Sequence, residues 1–183
     1  MNYYISDLHL GHENAMRRFD HRPFESLEQQ DNAIILNINL TVTPQDNLYL
    51  LGDVSWYKPD KTYELLNRIN CKNIYLLVGN HDRWAKDSKC KKLLQGIYDL
   101  KRIDDNGRSV VLCHYPLAVW DQSHRGSYHL YGHVHDNLQD DGGLRHTVLS
   151  HNEMRNAYNV GCMLSYMNYM PKTLDEIIRS KIL

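Results

Sequence analysis

Cysteine is scarce and shows no pairing pattern. Cys71, Cys90, Cys113 and Cys162 form no CxxC and are too few for a disulfide scaffold, which fits a reducing compartment and reads as small buried apolar groups. No apolar run approaches the ~20 residues needed to span a bilayer. The opening Met1-Asn2-Tyr3-Tyr4 also lacks a basic stretch followed by an apolar one, so the expectation is a cytoplasmic protein with no membrane partner. A dominant charge is missing as well. Lys and Arg number 21 against 22 Asp and Glu, a formal net charge of -1, so no overall basic field argues for nucleic acid or anionic lipid. Repeats, low-complexity tracts and linkers are absent. The 183 residues suit one domain, residues 1–183, with a proper core and too little chain for a useful second.

Histidine is what the chain has in excess, eleven residues in all. It is the commonest metal ligand and a proton shuttle near neutral pH, so clusters are sought against a background of surface scatter. The central stretch is Ile74-Tyr75-Leu76-Leu77-Val78-Gly79-Asn80-His81-Asp82. Its apolar part reads as a strand covered on both faces, with Gly79 letting the backbone turn where the strand stops. Asn80, His81 and Asp82 then lie beyond its carboxyl end, where open α/β sheets bind ligands.

The same grammar recurs along the chain. Tyr3 to Ser6 leads into Asp7-Leu8-His9, whose alternation in extended backbone would turn Asp7 and His9 to one side. Asn47 to Leu51 ends in Gly52-Asp53, Ser109 to Cys113 delivers His114, and Tyr128 to Tyr131 runs into Gly132-His133-Val134-His135. Between them, helices are expected from Ser26, with Gln29 completing a capping box, and from Asp60 as a cap. A basic amphipathic helix is expected over Arg83 to Leu94, and a last one from Thr173 and Glu176 through Ile182. Asp104-Asp105-Asn106-Gly107 is strong turn chemistry between two strands, and Asp140 to Gly143 is a further turn. Strands alternating with helices indicate an α/β layered fold. If the five strands lie side by side, their terminal Asp, Asn and His groups outnumber what one cation takes, and two metals are the economical inference.

These blocks, Asp7-x-His9, Gly52-Asp53, Gly79-Asn80-His81-Asp82, Cys113-His114-Tyr115-Pro116 and Gly132-His133-x-His135, closely resemble the calcineurin-like metallophosphoesterases over nearly the whole chain. The small, capless bacterial and phage members are the most similar, with Ser6-Asp7-x-His9 followed by Gly11-His12. Cys162 and Met163 depart from the Val and Asp that many such relatives carry after the late glycine. The resemblance implies a four-layer α/β/β/α sandwich of two mixed sheets flanked by helices. It implies one metal on Asp7, His9, Asp53 and His135 and another on Asp53, Asn80, His114 and His133, with Asp53 bridging. Manganese comes first, with iron, zinc, nickel or cobalt as alternatives, since mixed imidazole and carboxylate ligands suit all of them.

The implied activity is hydrolysis of phosphodiesters, nucleotides or cyclic nucleotides among them, or of small phosphomonoesters, by a water ionised between the two cations. His81 is the candidate acid for the leaving oxygen, oriented by Asp82. His12 is a candidate phosphate contact at the rim, with a supporting or surface position as the alternative, and Arg17, Arg22 and Arg83 are candidate phosphate contacts with a solvated face as the alternative. Two other readings stand beside this one. They are a nuclease, drawn from the basic stretch Arg83 to Lys92, and a non-catalytic module in which metals brace a binding surface.

Overall fold

The computed structural model describes residues 1–135 and 156–180. Among these residues, eight strands form two four-stranded sheets. The first contains β1 (Asn2–Ile5), β2 (Asn47–Leu50), β3 (Asn73–Leu77) and β4 (Gly96–Tyr98), in that order and parallel throughout. The second contains β5 (Leu100–Asp105), β6 (Arg108–Cys113), β7 (Tyr128–Tyr131) and β8 (Ala157–Asn159), with β5 and β6 antiparallel and the remaining pairs parallel. The expected mixed character therefore belongs to the second sheet alone. In the first, α1 (Leu27–Thr41) and α2 (Pro59–Leu66) carry the chain back between successive strands, the crossover that parallel pairing requires. One apolar core joins both sheets and the flanking helices, from Ile5, Leu50 and Leu76 through Ile34 and Leu65 to Val110, Leu112 and Leu130.

Local chemistry sets most boundaries. Ser26 Oγ accepts from Gln29 N–H at 3.1 Å and starts α1. Helix α2 begins two residues earlier than expected, because Pro59 takes the first helical position with Lys58 as N-cap; Asp60 lies in the first turn. The expected single helix over Arg83 to Leu94 is two pieces, a 3-10 turn at Arg83–Lys86 and the short α3 (Ser88–Lys91). Asp87 divides them, its carboxylate accepting from Lys89 and Cys90 N–H. Asn106 and Gly107, at φ of 55° and 79°, make the tight turn between β5 and β6. Thr173 and Glu176 form the expected capping box at α4 (Leu174–Ser180). The helix end at Ile182 and the turn at Asp140 to Gly143 lie outside the described residues.

The two sheets meet where they matter for the site. Just past β1, Ser6 N–H donates to Val160 O at 2.9 Å and Ser6 O accepts from Cys162 N–H at 2.9 Å. This bridge lines up the exits of β1 and β8, and no described helix is long and apolar enough to cross a membrane.

Candidate metal centre

Five candidate ligands occupy left-handed backbone: Asp7 (φ 55°), His9 (48°), Asp53 (51°), His133 (71°) and His135 (50°). Each such non-glycine residue costs on the order of 1–3 kcal/mol and persists only where its surroundings impose it. Asp7 and His9 do converge, but by this contorted backbone and not by the alternation of an extended strand. Hydrogen bonds between loops hold the shape. Asp7 N–H donates to Gly52 O, His9 N–H to Asp53 O, and His133 N–H to both oxygens of Asp7 at 3.1 Å.

The side chains gather in two clusters, Asp7 with His9 and His135, and Asp53 with His114 and His133. Within each, the candidate ligand atoms lie within 4.8 Å of one another. His9 Nε2 and His135 Nε2 are 3.1 Å apart, and His114 Nε2 is 3.6 Å from Asp53 Oδ2. Asp53 Oδ2 is also 3.8 Å from His9 Nε2, so this carboxylate faces both clusters.

The donor chemistry fits divalent cations. His114 Nδ1–H donates to Leu51 O at 2.8 Å, and His135 Nδ1–H donates to Asp20 Oδ1 at 2.6 Å. Each bond fixes the tautomer that leaves the Nε2 lone pair aimed into the site, as metal-bound imidazoles are held. His114 Nε2 is buried and has no hydrogen-bond partner among the described residues, facing an ionised carboxylate that can only accept, an arrangement that suits a cation between them.

Without cations, protons answer the same field. Burial would lower the His114 pKa, yet Asp53 and Asp7 outweigh it and push it up to about 9. Burial likewise opposes ionisation of Asp53, but His114, the His81 N–H and His9 bring it down to about 2. Burial, reinforced by His135 and Arg22, drives His9 down to about 2.

The remaining candidates fall into different places. His81 stands at the mouth, a third exposed, its N–H on Asp53 Oδ1 at 2.9 Å and its Nε2 3.8 Å from Asp53 Oδ2. Asn80 is exposed beside it. His12 stacks on Trp56, centroids 4.1 Å apart at 18°, and its buried Nδ1 has no hydrogen-bond partner among the described residues. Asp82 does not orient His81. Its carboxylate accepts from Asp53, Val54 and Gly79 N–H, each at 2.9 Å, and from Trp84 Nε1–H at 2.8 Å, stapling the exits of β2 and β3 together. Arg22 is not a phosphate contact either. It is buried, donating to Leu8 O at 2.7 Å, Asp7 O at 2.9 Å and Asp20 Oδ2 at 2.8 Å, so every edge of its guanidinium is engaged. Arg17 lies on the surface against Glu13 and Glu25 O. Arg83 is exposed and, with Trp56, Lys58, Asn80 and His81, lines a cavity of about 620 Å3 beside the centre.

Sequence reasoning missed Asp20, which ties His135 to Arg22, because it lies in a polar connection with no strand to announce it. Trp56 and Lys58 were missed for the same reason. Gly79 needs another explanation than a turn. Its φ is not in the left-handed region, but a Cβ there would sit 2.3 Å from Asp53 Oδ1; one at Gly132 would sit 2.4 Å from Asp7 Oδ2, and one at Gly52 2.4 Å from His114 Nδ1. These glycines are cut to the Asp53, Asp7 and His114 side chains packed over them.

Paired α/β sheets whose strand exits deliver two carboxylate and imidazole clusters define a protein equipped to hold divalent cations. The calcineurin-like phosphoesterase family matches residues 3–169, and the chain belongs to that family, as its five sequence blocks indicated. The uncharacterized protein MJ1445 of Methanocaldococcus jannaschii is 30% identical over 179 residues, covering 97% of this chain and 89% of its own. Among solved structures, the protein of unknown function AQ665 from Aquifex aeolicus superposes with a TM-score of 0.71 at 24% identity, covering 98% of both chains. A single-residue variant of Vps29 from Entamoeba histolytica gives a TM-score of 0.44 at 14% identity, over 86% of this chain and 72% of that one.

Proposed function

We propose that the chain is a metal-dependent phosphoester hydrolase holding two divalent ions, manganese first among them, and acting on phosphodiesters or small phosphomonoesters. The observation that carries this reading is the pair of carboxylate and imidazole clusters, the first faced by Asp53 from the second, together with the His114 Nε2 in that second cluster, which has no hydrogen-bond partner among the described residues. Asp7, His9 and His135 would hold one ion and His114, His133 and Asn80 the other, with Asp53 serving both. The ions would supply the positive charge that makes a water nucleophilic near neutral pH and offsets charge on the phosphoryl oxygens.

The chain's own groups do the rest. Asp20 and Leu51 O hold the His135 and His114 rings in register. Arg22 clamps the carbonyls of Asp7 and Leu8, so the strained loop cannot relax away from the site. His81, whose backbone N–H donates to Asp53 Oδ1 and whose side chain lines the cavity, donates a proton to the departing ester oxygen. Its test is His81→Asn. Bound metal stays at the wild-type level while turnover falls roughly 100-fold for alkyl leaving groups, in the range general acids contribute, and far less for nitrophenol. Equal losses on both leaving groups would remove the acid assignment.

A nuclease reading draws on one further observation, that Arg83, Lys86, Lys89, Lys91 and Lys92 are all exposed on the chain following the site. Cleavage of single-stranded DNA or RNA that collapses as salt rises would favour it; cleavage confined to small esters would retire it.

A further inference from the structure

The cavity beside His81 is a built recess, and the proposed hydrolysis does not account for its walls. About 620 Å3 is within the range of small-ligand pockets, roughly 300–1,000 Å3. Two features of its lining point to a ligand class. The first is aromatic. Trp56 is 51% exposed, unusual for so large an apolar side chain, although His12 stacks on one face of its indole and His81 stands 4.5 Å away. The imidazole stack holds the ring in place, and the half-exposed indole lines the cavity. The second is charge. Lys58 and Arg83 both line the space, no carboxylate does, and neither cation has an ion-pair partner among the described residues. A recess of unopposed positive charge, walled by an anchored indole and opening onto a phosphate-activating centre, is complementary to a planar ring that carries an extra anionic group.

We infer that this cavity recognises a nucleotide bearing a second phosphate, the base stacking on Trp56 and the additional phosphate held by Lys58 and Arg83. The inference rests on the phosphoesterase reading, since it takes the ester phosphate to lie at the metal centre. Stacking explains why Trp56 is solvent-facing and fixed at once, because every base offers a π-face and sequence tolerance follows. The cations explain the preference for a second phosphate over a bare nucleoside. His12 then acts as a positioning residue, setting the plane of the indole.

Calorimetric titration of the full chain in the presence of a chelator reads binding without turnover. Adenosine 3′,5′-bisphosphate is expected to bind at least about tenfold more tightly than adenosine or inorganic phosphate. Trp56→Ala weakens the bisphosphate about tenfold and Trp56→Phe restores most of it, in the range base stacking supplies. The Lys58→Ala/Arg83→Ala double variant lowers the bisphosphate to the affinity of adenosine. Equal binding of bisphosphate by wild type and Trp56→Ala, or equal affinity for bisphosphate and adenosine, would overturn the assignment. Binding as predicted by a chain that hydrolyses no ester after metal loading supports the cavity and overturns the hydrolase reading instead, so the two failures are separable.

Discussion

Asp20 and Arg22 show how much of this site lies one layer behind the candidate ligands. Arg22 is the buried counter-charge of Asp20 and the clamp on two carbonyls, whereas Asp20 sets the tautomer of His135. Their substitutions should separate stability from metal affinity. Arg22→Met strands the Asp20 carboxylate in the interior and should destabilise the fold by about 3–5 kcal/mol, read by chemical denaturation. Asp20→Asn keeps an acceptor for Arg22 but weakens the hold on His135, and should cost roughly 10- to 100-fold in metal affinity with a smaller loss of stability, read by metal titration. Comparable losses in both readouts for both variants would refute the division of labour. Among the candidate ligands, Asp7, His9, Asp53, His114, His133 and His135 could be picked out in the sequence because each lies within a few residues of the end of an apolar run. Asp82 carries the same signature and does a different job. Spacing places a carboxylate at a strand exit, but it cannot say whether backbone N–H groups have already claimed all its lone pairs.

At the scale of elements, the glycines separate two physical causes that look alike in sequence. Gly107 sits at φ 79°, and a Cβ added there would meet nothing within 4 Å, so Gly107→Ala should cost only the strain of left-handed backbone, about 1–2 kcal/mol. Gly79 has ordinary φ, but its added methyl would collide with Asp53. Gly79→Ala should therefore disturb the centre itself, lowering metal content and turnover while Gly107→Ala leaves metal content alone. A metal assay on both variants decides this; loss of metal from Gly107→Ala and not from Gly79→Ala would contradict it. Strand and helix positions were readable from apolar period, and the hairpin from Asn106-Gly107. Strand β4 was not, since Gly96-Ile97-Tyr98 is short and half-buried, and its identity comes from pairing with β3. The split of residues 83–94 turns on Asp87, whose side chain competes with the backbone for helix initiation.

For the whole molecule, the buried imidazoles set a pH optimum for the metal-free state. His129 is buried with Nδ1–H donating to Val111 O and Nε2 accepting from Leu117 N–H, and burial lowers its pKa to about 4. His9 is lowered further, to about 2. Both stay neutral in the fold but take up protons near 6.5 when unfolded, so the stability they confer is present above 6.5 and is lost as pH falls toward 4. His114 has the opposite sign. Raised to about 9, it stabilises the metal-free fold fully below 6.5 and loses that contribution as pH rises through 9. Thermal unfolding in chelator should therefore give a maximum near pH 6.5 with decline on both sides, and metal should abolish the alkaline decline by replacing the His114 proton. A metal-free midpoint that rises steadily from pH 6.5 to 9 would refute this.

The most direct measurement is the number of ions per chain, by native mass spectrometry after loading with manganese near neutral pH. Two per chain, falling to one or none with Asp53→Ala, is the result expected of clusters that share a carboxylate. A chain that retains no ion, or an Asp53→Ala variant that still retains two, would contradict the shared centre.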